Sequence, residues 1–286
     1  MALEFPHVDV VGIDFVPPVL LSAEAIPPNC RFEVDDANLS MTHYKDCFNM
    51  VHVRSADQGI NDFNGCLYEL AQTLRPGGIL VLSTGIPQMY MEDYTPFPVT
   101  EPGEENFTWI QKLLGHTYQA LLNRGNPSVE ACLHWVKWLE ENPNYENVLQ
   151  SDTFVCLGAW KPGLDETAKW VADGMKIDLM HILPAWKPLL LSDGVPSEQI
   201  DFMIEVRRPW FDGHLRLIHL PLFKQEATKE LRDETIHAQC SWRYTTATRT
   251  KAPYQERMET PLDVEPGPRP KLMISAKSKS AAGNRD

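Results

Sequence analysis

The chain has 286 residues, 43% of them hydrophobic and 23% charged, an ordinary balance for a globular protein with one large core. Its formal charge is −13, from 26 basic and 39 acidic residues, which argues against nucleic acid as the main partner because that affinity comes largely from neutralised phosphates. No apolar run approaches the roughly 20 residues needed to span a bilayer, so no membrane partner is expected. The N-terminus MALEFPHVDVVGID, with an acid at Glu4, does not read as a signal segment.

The first 85 residues alternate strand-like and helix-like stretches. Val8 to Asp14 (VDVVGID) is a short β-branched run, as expected of a strand buried on both faces. Arg31 to Ala37 (RFEVDDA) is a second strand ending in acids, and Cys47 to Arg54 a third. From Asp62 the period becomes helical, with Phe63, Cys66, Leu67, Leu70, Ala71 and Leu74 at spacings of three and four. Pro76-Gly77-Gly78 is expected to stop that helix before a fourth strand, Ile79 to Thr84. The order implies a mostly parallel α/β sheet with helices on its faces.

Beyond Pro102, amphipathic helices are expected from Phe107 to about Gly125 and from Val129 to before Pro143, and Phe154 to Trp160 reads as a strand. Glu166 to Leu191 is helical with a break at Pro184, and Ser197 is a plausible N-cap for a helix to Arg208. Pro209 to Phe223 has no clean period and reads as an insertion, before helical pattern resumes at Gln225 to Ile236. Trp242 to Arg249 is a final strand, and from residue 251 onward a proline-rich, disordered tail is expected. The domain proper is residues 1–250.

Ligands of a parallel sheet bind beyond the carboxyl ends of its strands. Asp14 stands at one such end and Asp35-Asp36 at another. A carboxylate there can accept bonds from the vicinal hydroxyls of a ribose. A second, one strand over, can take the exocyclic amine of an adenine, and Phe15 can cover a base face. Two acids so placed suit an adenosine-containing ligand and disfavour one bound through several phosphates. The six cysteines (Cys30, Cys47, Cys66, Cys132, Cys156, Cys240) form no C-x-x-C pair and no cluster at zinc spacing. Reduced thiols, no metal, and a cytoplasmic or nuclear location are therefore expected. His43 and His52 lie near the cleft without an evident partner, and the tryptophans read as core.

The ordered series FPHVDVVGIDF, IPPNCRFEVDDA, DCFNMVHVR and LRPGGILVLS resembles class I S-adenosylmethionine-dependent methyltransferases, and within them a large fungal group with small-molecule or unknown substrates. The resemblance covers residues 4 to 250, densely to Gly85, and implies a Rossmann-like sheet, mostly parallel with an antiparallel C-terminal strand. It implies S-adenosylmethionine as cofactor, a small organic methyl acceptor and a role in secondary metabolism. Asp14 would hold the ribose, Phe15 would pack on the adenine, and Asp36-Ala37 would read the adenine edge. The stretch His52, Val53, Arg54 would face the methionine part. The sequence departs from the family twice. The family's first strand, central in its sheet, and its Gly-x-Gly loop have no counterpart ahead of Phe5, so the sheet is expected to be N-terminally incomplete. Asn49 stands where an Asp is usual. No catalytic residue is assigned, because methyl transfer can proceed by proximity and orientation. The rival reading is an inactive, truncated relative that acts as a binding module or remnant; a nicotinamide dehydrogenase shares only the acid after the second strand.

Overall fold

A computed structural model describes residues 1–16, 26–98, 100–125, 127–204, 226–233 and 237–258. The expected insertion at 209–223 lies outside them, as does the chain from 259 to 286. The strands are β1 (Val10–Asp14), β2 (Cys30–Val34), β3 (Phe48–Arg54), β4 (Leu74–Tyr90), β5 (Tyr145–Cys156) and β6 (Gln239–Arg249). The helices are α1 (Phe63–Thr73), α2 (Trp109–Asn123), α3 (Trp135–Glu141), α4 (Glu166–Ala185), α5 (Lys187–Ser192), α6 (Ser197–Met203) and α7 (Glu226–Arg232).

Helix starts follow their capping residues. Asp62 accepts the Gly65 amide at 2.9 Å to open α1, and Thr108 accepts that of Gln111 at 3.1 Å to open α2. Two further donors of α2, the amides of Trp109 and Ile110, bond both carboxylate oxygens of Glu230 on α7, at 2.8 and 2.9 Å. A charge supplied 120 residues away thus satisfies a helix end.

The sheet is mixed. In the larger part, ordered β3-β4-β6-β5, β3 and β4 are parallel, and β6 is antiparallel to both β4 and β5. Three strands therefore run one way and the C-terminal strand runs against them, the expected Rossmann-like α/β pattern. β1 and β2 pair in parallel as a separate two-stranded sheet. The single sheet expected over the first four strands is thus divided, with no ladder between β1 and β3 among the described residues. One face of the larger sheet, bearing Leu80, Leu82 and Ala247, is buried against Leu67, Leu70, Trp135 and Leu139 of α1 and α3. A second core joins the far end of β4 to α2 and α5–α7 through Met89, Leu113, Leu190, Ile200 and Met203.

Three local expectations change. Pro76-Gly77-Gly78 lies inside β4: Phe48 pairs with Leu74 and Met50 with Ile79, so residues 75–78 bulge opposite Asn49 alone. The Asn49 amide oxygen accepts from Arg75 at 3.0 Å, which occupies this position with a structural bond. Ser197 is the first residue of α6, while Pro196 takes the cap position and the Ser197 hydroxyl points to Asp201 at 3.4 Å. Residues 251–258, expected to begin the tail, run along the domain: Asn144 exchanges bonds with Gln255 at 2.7 and 2.8 Å, and Arg257 pairs with Asp62.

Candidate functional site

β1, the end of β2 and β3 converge on one cavity of about 570 Å³. All seven residues singled out as cofactor-binding, Asp14, Phe15, Asp36, Ala37, His52, Val53 and Arg54, line it. Their gathering is a matter of topology. Parallel pairing puts Asp14 opposite Val34, so the acids following each strand emerge at one end. The Asn38 side chain then ties the end of β2 to the loop after β3. It donates to Gly59 O at 2.8 Å and accepts from the Asn61 amide at 2.8 Å.

The acids differ in what they have left to offer. Asp14 accepts the Val16 amide through Oδ1 at 2.9 Å, and Oδ2 has no partner among the described residues. Asp36 accepts both the backbone and the side-chain N–H of Asn38 on Oδ1, each at 2.9 Å. Those bonds, the backbone one first, hold its carboxyl below the usual range. Asp35 is spent: Oδ1 takes the Asp36 amide and Oδ2 meets His43 Nε2, both at 2.8 Å. His43 therefore has a structural partner. The Phe15 ring is 70% exposed, open to stacking. His52 Nε2 lies 2.9 Å from Ser83 Oγ, and burial, with Arg54 beside it, lowers the imidazole pKa.

Sequence reading missed Asn38 and Asp57. The Asp36-Ala37-Asn38 turn signal was legible, but its partners in the loop after β3 were not. Asp57, 7% exposed, follows β3; burial raises its carboxyl pKa, opposed by a bond from Thr84. The tryptophans divide between core and surface: Trp135 is 1% exposed, whereas Trp170 is 77% exposed. No group of three metal-ligating side chains occurs, and no helix is long and apolar enough to cross a membrane, among the described residues. All six cysteines are free.

A model of the methyltransferase-domain family matches residues 1–119. Over 203 residues the chain is 28% identical to the secondary metabolism regulator laeA of Coprinopsis cinerea, covering 71% of this chain and 49% of that protein. The chain thus spans about half the length of the curated relative it matches. Among solved structures, it is similar to the YcgJ protein of Bacillus subtilis, with a TM-score of 0.38 and 14% identity over 88% of this chain and 87% of that one. It is also similar to Haemonchus contortus phosphoethanolamine N-methyltransferase 2 in complex with S-adenosyl-L-methionine. There the TM-score is 0.38 and the identity 11%, over 87% of this chain and 45% of that one.

A mixed α/β sheet with acids at its strand ends agrees with this similarity. Residues 1–119 are thus similar to a methyltransferase domain. S-adenosylmethionine is the cofactor of such methyltransferases, and the donor set fits its adenosine end: among the described residues, two carboxylates each keep a free oxygen beside an exposed aromatic residue.

Proposed function

We propose that this protein transfers a methyl group from S-adenosylmethionine to a small organic acceptor. The observation that carries the reading is the convergence of Asp14, Phe15, Asp36 and Ala37 with His52 to Arg54 on one cavity. Asp14 would accept the ribose hydroxyls through Oδ2. Asp36 would take the adenine amine with its own free oxygen, while Phe15 would cover the base and exclude water from it. The Arg54 guanidinium offers a counter-charge to a carboxylate. The cofactor would supply an electrophilic sulfonium methyl, and this chain's part is to hold the acceptor in line with it. A neutral His52 at the cavity wall can accept a proton from an acceptor hydroxyl or amine.

Calorimetric titration with S-adenosylhomocysteine, with NAD in parallel, tests the cofactor assignment. Binding of the former and not the latter is expected. Asp14→Ala should weaken it by about 1–3 kcal/mol, several-fold to a hundred-fold, through lost bonds to a charged group. Equal affinity in both proteins would remove the ribose role. A second reading, a binding domain without turnover, is favoured by the gap between β1 and β3. It requires cofactor binding with no methyl transfer to any of a panel of small nucleophiles.

A further inference from the structure

The helix α4 (Glu166–Ala185) packs through one side only. Ala172 and Leu183 are buried, and Met175, Leu179 and Met180 rest against the second core. At about 100° per residue, the opposite side carries Trp170, Gly174, Ile177 and His181 in one row, with Val171 and Ile182 along its edge. Trp170 is 77%, Ile177 50%, Ile182 42% and Val171 38% exposed. Four large apolar side chains in the open on a single helix form a patch of the kind that marks an interaction site.

The charges beside that row decide what fits it. A second copy of the chain is repelled over most of the surface, because the net charge is −13. Around α4 the signs are balanced: Glu166, Asp173 and Asp178 stand with Lys169, Lys176 and His181. Along one flank Glu166, Lys169, Asp173 and Lys176 alternate in sign. An antiparallel second copy of α4 sets Lys169 against Asp173 and Glu166 against Lys176, and both pairings share one two-fold axis opposite Val171. A two-fold with the helices parallel would set each charge against itself. In the antiparallel register Trp170 lies over Val171 and Gly174 of the second copy, and Ile177 reaches its Leu164. An added Cβ on Gly174 would meet nothing within 4 Å. Glycine inside a helix is destabilising relative to alanine, and room for the indole of a second copy offsets that.

We infer that this protein self-associates through α4, as an isologous antiparallel pair of helices centred on Val171. The contact is one helix wide, at the small end of specific interfaces, so a reversible dimer is expected rather than an obligate one. No residue of α4 lines the cavity between β1 and β3, which the dimer therefore leaves open. The inference rests on the surface of α4 alone and stands without the methyltransferase reading.

Sedimentation equilibrium of the full chain, from low to high micromolar concentration, tests it. The mass is expected to rise from 32.5 kDa towards twice that value. Trp170→Asp should weaken the association at least about thirtyfold, as loss of a central aromatic anchor does. Lys169→Glu should weaken it at least about tenfold by bringing like charges together. Lys169→Glu with Asp173→Lys in the same chain should restore it, because the pair is then exchanged across the axis. That rescue separates a broken contact from a helix that has merely unfolded. A dimer indifferent to Trp170→Asp would overturn the proposal, as would a Lys169→Glu loss that Asp173→Lys fails to repair. So would a mass of 32.5 kDa at every concentration, and slow amide exchange along α4 in that monomer would give the face to another segment of this chain.

Discussion

Asp57 shows how a carboxylate outside the binding cavity shapes stability. Burial raises its pKa in the folded protein. The folded state therefore holds the proton more tightly than the unfolded chain, where the carboxyl titrates near 3.9. That contribution to stability is present below the unfolded value and is lost as pH rises through the raised one. Asp57→Asn removes the titration, so the melting temperature of the variant relative to the parent should climb between pH 4 and pH 7. A pH-independent difference in calorimetric scans would contradict this. Glu230 makes the complementary case, since it completes the start of α2 from a distance. Glu230→Ala should destabilise by about 1–3 kcal/mol, leaving two amides without their partner. Chemical denaturation measures it, and an unchanged midpoint would show that water serves those amides equally well.

At the scale of elements, the bulge in β4 separates two glycines that look alike in sequence. Gly77 has φ +82 with nothing within 4 Å of an added Cβ. Its substitution by Ala should cost about 1 kcal/mol, through backbone conformation alone. A Cβ on Gly78 would meet the backbone oxygens of Arg75 at 2.8 Å and Asn49 at 3.1 Å. Gly78→Ala should be the more damaging of the two, and the order of their melting temperatures checks it. β5 was legible only in its last residues. Its earlier part is an edge strand with an irregularity between Glu146 and Leu149, where Asn147 adopts φ 55, so its side chains do not alternate cleanly.

On the scale of the whole molecule, residues 251–258 act as a strap joining the start of β5 to the start of α1. Tyr254 packs on the first core, Gln255 pairs with Asn144, and Arg257 pairs with Asp62. Removing residues 251–286 should lower the melting temperature by several degrees, of the order expected for one to two kcal/mol in a domain of this size. A truncated protein as stable as the parent would return the whole segment to the status of a tail.

Period and motif order, together with the family resemblance those motifs carry, pointed to the class of fold, most of the strand and helix positions, and the residues that line the cavity. Those signals are local: alternation, a 3.6-residue repeat and an acid at a strand end are each read within a few neighbours. Tertiary structure alone decided that Asp35 is consumed by His43 and Asp36 is not, that Asn49 serves Arg75, and that Glu230 caps α2. It alone showed that the sheet parts between β1 and β3. Each of these depends on which distant groups share a dry contact and which backbone edges find partners, a condition of three-dimensional packing that no window of sequence contains.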